Sequence, residues 1–224
     1  MKSWQPARKP LAVLALVLLA GFVYFARLTR NPAGFYIDES SIAYNAYTIS
    51  QTARDEHGEL LPLFFRAFGD YKNPTYIYLL ALIFRILGPG ILVARIFSAF
   101  LGIAAACALG VLAYRASSQR VVGMAVAVEA LFTPWLFENS RVVFEVALYP
   151  LAIALFLLAL ARAAAKPRWS WLDSTLIALT LALLTYSYTI GRLSRRCWQS
   201  VSYCLAIVFA GAGFCEHGRF IFLL

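Results

Sequence analysis

The sequence predicts an all-α protein, a polytopic bundle of transmembrane helices with juxtamembrane helices in its first outer loop. Three observations predict it. Of the 224 residues, 62% are apolar and 14% charged, with a mean hydropathy of +0.72; soluble domains carry roughly 25% charged residues. A core of this size cannot hide so much apolar surface from water, so the solvent is lipid. The apolar residues are also gathered into runs, at about 11–26, 96–114, 121–137, 146–161, 174–191 and 197–215. Such runs must be helical, because an open sheet leaves its backbone unpaired in hydrocarbon. The net charge of +9 then reports basic cytoplasmic loops, and no nucleic-acid partner is expected.

The elements follow in order. The first span, about 11–28, comes after Lys2, Arg8 and Lys9. That pattern also fits a signal peptide, but the many later spans favour an anchor with a cytoplasmic N-terminus. Residues 29–92 form the largest non-membrane piece. Within it, Ile42, Ala46, Ile49 and Ala53 recur at helical steps, which predicts an amphipathic helix over 40–53. Asp38 falls near its N-cap, where the helix dipole favours a carboxylate. On spacing alone, a plain helix cap with an acidic first turn explains that position better than chemistry does.

The stretch 74–84 is apolar but too short to cross before Arg85. It is expected to lie at the interface, with Tyr76 and Tyr78 at headgroup level. Four more spans follow at about 93–114, 121–137, 146–165 and 172–190. Charge orients them. Arg115 and Arg120 flank one connection, and Arg162, Lys166 and Arg168 flank another, with Asp173 just beyond; between them, 138–145 holds Glu138, Arg141 and Glu145. The first two connections are expected in the cytoplasm and the third outside. Glu129 interrupts the 121–137 run and is expected to face other helices.

Few residues carry chemistry by pattern. Asp55-Glu56-His57-Gly58-Glu59 imitates a metal site, but its spacing matches no ligand set and a solvated turn is expected. Cys107, Cys197, Cys204 and Cys215 form no C-x-x-C pair. No metal site is expected. Lys72, in Gly69-Asp70-Tyr71-Lys72-Asn73-Pro74, can grip a phosphate at a membrane surface or snorkel there.

An ordered set of segments resembles a known family. Asp38-Glu39 comes first, then Leu61-Pro62-Leu63-Phe64-Phe65 leading to Gly69–Pro74, and then Val93-Ala94-Arg95-Ile96-Phe97-Ser98-Ala99 with Gly102. Thr133-Pro134-Trp135, Asn139-Ser140-Arg141 with Glu145, and Tyr186-Ser187-Tyr188-Thr189-Ile190-Gly191-Arg192 complete it. Together they resemble the N-terminal module of GT-C fold, polyprenyl-phosphate-sugar-dependent glycosyltransferases, nearest to the protein O-mannosyltransferase family 39 and the lipid A aminoarabinose transferases. The resemblance covers roughly residues 5–192.

The resemblance implies a multi-pass enzyme of the cell membrane. It would move a sugar from a polyprenyl-phosphate carrier to a hydroxyl of a protein, lipid or glycan on the extracytoplasmic face. Its partners are then that donor, the acceptor and membrane lipids. Asp38 matches the catalytic acid-base group, with Glu39 beside it, and Glu145 matches the acidic residue of the second outer loop. Lys72 matches the donor-phosphate contact, with Tyr71 beside it. Apart from the resemblance, Arg95 and Arg141 lie on the expected outer side and are lesser donor-phosphate candidates, each read first as a structural or headgroup contact. Ser41 stands where aminoarabinose transferases carry an arginine, so that contact is absent or supplied elsewhere. No cofactor is implied with certainty, and dependence on a divalent metal is open.

A noncatalytic membrane subunit, a small transporter and an inactive fragment are the rival readings. The resemblance stops near Leu193. Beyond it, Arg192, Arg195 and Arg196 cluster on the expected outer side and three cysteines follow, against the positive-inside rule. Residues 193–224 therefore read as an atypical tail left by a frameshift or truncation.

Overall fold

A computed structural model describes the backbone of residues 8–189 and the side chains of 15–189. The expectations for the tail, including the run at 197–215 and Arg192, Arg195 and Arg196, lie outside the described residues. Those described are mostly helical. Helices α1 (Arg8–Phe25) and α2 (Ile37–Thr52) precede a hairpin of β1 (Phe65–Ala67) and β2 (Asp70–Lys72). Then come α3 (Pro74–Leu87), α4 (Ile91–Ser117), α5 (Arg120–Phe132) and α6 (Pro134–Asn139). A 3₁₀ turn, Glu145–Leu148, leads into α7 (Tyr149–Ala164), and α8 (Trp171–Ser187) ends the described chain.

Among the described residues two helical segments, Ile91–Ser117 and Glu145–Ala164, are long and apolar enough to cross a membrane. The 27 residues of α4 reach about 40 Å, against about 30 Å of hydrocarbon. The span expected at 121–137 is broken. Thr133 takes ψ 121° before Pro134, because a proline ring crowds an α-helical residue ahead of it and lacks an N–H. That leaves α5 with 13 residues, about 20 Å.

Small residues set how closely helices approach. A Cβ on Gly110 of α4 would lie 2.8 Å from the Gly123 carbonyl oxygen of α5 and 2.7 Å from the Ala127 Cβ. A Cβ on Gly102 would lie 1.9 Å from the Ser140 hydroxyl. Substituting either glycine would force two backbones apart.

The core at the N-terminal end of α4 draws on α2, α3 and the second loop. Ile42, Ala46 and Ile49 are buried as their spacing predicts, although α2 begins at Ile37 with Tyr36 as its N-cap and Ala53 is the left-handed C-cap. From α3, Tyr76, Ile77, Leu80, Ala81 and Phe84 join them. Tyr76 therefore does not sit at a headgroup surface. It is fully buried and its hydroxyl bonds Ser98, while the Tyr78 hydroxyl donates to the Pro62 carbonyl at 2.8 Å. The apolar face of α3 meets protein, since the 76/77/80/81/84 spacing lays one stripe against α2 and α4. Glu129 is exposed on α5 among the described residues, which corrects its expected placement against other helices.

The hairpin was not foreseen. Phe68 and Gly69 both take positive φ, 51° and 82°, the geometry of a two-residue type I′ turn whose twist suits antiparallel strands. At the far end of the bundle, α4 turns into α5 and α7 into α8. Asp173 closes the second of these turns, accepting from Lys166 Nζ at 2.6 Å, Arg162 Nε at 3.1 Å and Ser170 N at 2.9 Å.

Candidate active site

The hairpin register decides which way each side chain of the loop points. Phe65 pairs with Lys72, Arg66 with Tyr71, and Ala67 with Asp70. Side chains alternate faces along a strand. Phe65 and Ala67 are buried and Arg66 is exposed, so Lys72 turns toward the protein and Tyr71 away from it. Their exposures agree, at 13% for the Lys72 side chain and 56% for Tyr71.

Lys72 Nζ donates to the Asp38 carboxylate, 34 residues earlier. It also lies 5.6 Å from the centre of the Phe144 ring, close enough for a cation–π attraction. Asp38 is the second residue of α2, not its cap, and half of its side chain remains exposed. The site thus pairs a largely buried cation with an accessible carboxylate at the positive end of a helix dipole.

Asn73 holds the end of the hairpin. Its backbone N–H donates to Glu145 Oε2 at 2.5 Å, and its side-chain amide donates to Glu145 Oε1 at 3.2 Å and to Thr189 Oγ1 at 3.3 Å. Glu145, 4% exposed, therefore clamps the residue next to Lys72. Asn73 is also the N-cap of α3, with Pro74 at the first helical position, where its missing N–H costs no bond. The Thr75 hydroxyl donates to the Tyr186 carbonyl at 2.9 Å. Between α3 and α8, and starting at Pro74, runs an apolar groove of about 570 Å³, with Leu63, Tyr78, Leu179, Leu183 and Tyr186 among its walls.

Glu39 and Arg95 form a second, closed cluster. Arg95 is fully buried and all five of its N–H groups are engaged. Nε and one Nη2 hydrogen reach Glu39 at 3.1 and 2.9 Å; the others reach the carbonyls of Leu28, Pro32 and Gly34. Glu39 accepts two further bonds, from the backbone N–H groups of Tyr36 and Val143. A phosphate would find no donor left on Arg95, and an acceptor hydroxyl would find no free lone pair on Glu39. Together they tie the first loop, α2, α4 and the second loop into one body.

Arg141 plays a similar part at the end of α1. Its guanidinium donates to the carbonyls of Val23, Tyr24, Ala26 and Asn31 at 2.7–2.9 Å. Helix C-termini leave such carbonyls unpaired, and a cation there also suits the dipole. Burial, and then the charge of Arg95, pull the guanidinium below its ordinary value.

The expected set thus divides. Asp38 and Lys72 meet, Glu145 stands one residue away through Asn73, Glu39 joins Arg95 elsewhere, and Tyr71 points to the surface. Sequence reasoning missed Asn73 and Phe144; the Asn-Pro dipeptide was the only local signal for the first. The 55–59 segment is the expected turn, with Asp55 Oδ1 accepting from the N–H groups of His57 and Glu59. Among the described residues no group of His, Cys, Asp and Glu could hold a metal ion.

Compared with models of known protein families, with curated proteins and with solved structures, the chain finds no match in any of the three.

Proposed function

We propose that this chain is a multi-pass membrane glycosyltransferase of the GT-C type, moving a sugar from a polyprenyl-phosphate carrier to an acceptor hydroxyl at the extracytoplasmic face. The observation that carries the reading is the Asp38–Lys72 pair. Two residues distant in sequence are brought together by a hairpin register and a buried clamp, and Pro74, two residues after Lys72, lines an apolar groove. The groove offers the lining a polyprenyl chain needs. The ordered residues quoted for the family resemblance support the same reading.

The chemistry follows from the pair. The acceptor oxygen attacks the anomeric carbon, its proton passes to the Asp38 carboxylate, and the bond to the carrier phosphate breaks with its electron pair. Negative charge then grows on the phosphate, where a cation beside a partly dehydrated surface stabilises it most. Lys72 has three N–H donors, so it can hold a phosphate oxygen as well as Asp38. A donor phosphate sharing the ammonium would weaken its hold on Asp38 and leave that carboxylate more basic. Glu145 acts as a positioning residue through Asn73, while Glu39, Arg95 and Arg141 hold the loops. The two short connections at the other end of α4, 115–120 and 162–168, carry Arg115, Arg120, Arg162, Lys166 and Arg168, which favours that end in the cytoplasm, since the rule weighs short loops most.

The test is release of polyprenyl phosphate by the purified chain from synthetic polyprenyl-phosphate hexose and pentose donors, with a hydroxyl acceptor present. Release that Asp38→Asn and Lys72→Met each suppress supports the proposal. Release that neither variant changes sinks it.

A further inference from the structure

The turns at the basic end treat their cations differently. At the α7–α8 turn, Arg162 and Lys166 are tied to Asp173, and only Arg168 is exposed without a hydrogen bond or ion pair among the described residues. At the α4–α5 turn, Arg115 and Arg120 are exposed, residues 115–120 contain no acid, and neither arginine has a hydrogen bond or ion pair among the described residues. Arg120 also lines an apolar groove of about 530 Å³ along the α4–α5 seam. Its walls are Cys107, Val111 and Tyr114 from α4 and Met124 and Ala127 from α5. From Cys107 to Tyr114 the groove runs about 10 Å along α4. The close approach of the helices at Gly110 and Gly123 forms its floor.

We propose that this groove binds one anionic phospholipid, with an acyl chain along the Cys107–Tyr114 wall and the phosphate on Arg120. Arg115 adds charge at the same end. The proposal rests on the membrane reading of α4. A phospholipid satisfies both halves of the site, because the groove is apolar and its end carries unpaired cations. An apolar helix seated here, from this chain or a second copy, would cover Arg120 without giving its charge a partner, which is costly.

The experiment uses the whole chain, purified in micelles containing equal amounts of phosphatidylglycerol and phosphatidylcholine, with retained lipid quantified after the protein is recovered. Wild type should retain phosphatidylglycerol in preference. Arg120→Gln, an exposed change that leaves the groove open, should lower that preference roughly five-fold. Cys107→Trp plugs the groove and keeps both arginines, so it should lower the amount of phosphatidylglycerol retained. Equal retention of the two lipids by wild type overturns the proposal. So does a preference that survives Arg120→Gln, or one that glycerol phosphate abolishes by competition. Formation of a dimer that shields Cys107 from a thiol reagent also overturns it. Extraction of the chain from membranes by alkaline carbonate is scored separately. Release there removes the membrane reading, whereas retention there with no lipid preference removes only this site.

Discussion

Lys72 reaches Asp38 because its strand partner is Phe65. Phe65 is fully buried, so the residue opposite it on the same face of the hairpin also turns inward. The adjacent residue, Tyr71, turns out. The type I′ turn at Phe68-Gly69 sets that pairing, and the Asn73–Glu145 clamp holds it.

Asp38→Asn should abolish sugar transfer while leaving folding intact. Asp38 neither caps α2 nor lies in the core, so its loss removes one half-exposed ion pair of modest worth. Transfer should fall about 10²–10⁴-fold, as for loss of a general base. Lys72→Met should both raise the donor KM and lower kcat, because the cation holds the phosphate and stabilises the charge that grows on it. Steady-state kinetics and thermal unfolding on the same samples check both; near-native transfer by Asp38→Asn returns that residue to an ordinary helix position.

Glu145→Ala should damage stability and transfer together. It leaves the backbone N–H and side-chain amide of Asn73 without the carboxylate that receives them, at a cost of about 1–3 kcal/mol. Glu145→Gln keeps one acceptor oxygen and should recover part of both losses. If Glu145→Ala loses transfer at unchanged thermal stability, the residue acts on substrate and not as a clamp.

Arg95→Met should be far worse for folding than its position in an apolar helix suggests. It strands a buried Glu39 and frees the carbonyls of Leu28, Pro32 and Gly34. Breaking such a pair costs about 3–5 kcal/mol. Adding Glu39→Gln to Arg95→Met should return part of that loss, because no buried charge is then unpaired. Denaturant titration of the two variants decides it.

Gly102→Ala should destabilise the contact between α4 and the second loop by about 1–3 kcal/mol. The new methyl meets both Oγ and Cβ of Ser140, at 1.9 and 2.6 Å, so rotating the hydroxyl away is not enough. Ser140→Gly removes both atoms and should restore the variant. An additive double-mutant cycle would show that the two residues do not touch.

Single cysteines at Ser118 and Glu138, on a background without native cysteine, should label oppositely with an impermeant thiol reagent in intact cells. Both positions are exposed. Glu138 should react and Ser118 should not. Equal labelling would remove the proposed orientation.

Periodicity and composition alone determined the helical class, the buried 42/46/49 face of α2, the turn at 55–59 and the existence of α3. These are local properties, since a helix repeats within a few residues and a turn declares itself through Gly58 and Asp55. The break at Thr133-Pro134 was equally local and could have been read from the proline. The hairpin could not, because strands of three residues are too short to display an alternation. Only the tertiary structure decided which ionisable groups pair. Asp38 with Lys72, Glu39 with Arg95, and Asn73 with Glu145 are separated by 34, 56 and 72 residues. The apolar run around Arg95 and the polar turn around Lys72 are legible, but neither names the carboxylate that each cation meets. Packing buries one guanidinium among carbonyls that must be satisfied and leaves the other cation beside a carboxylate that water, and a substrate, can reach.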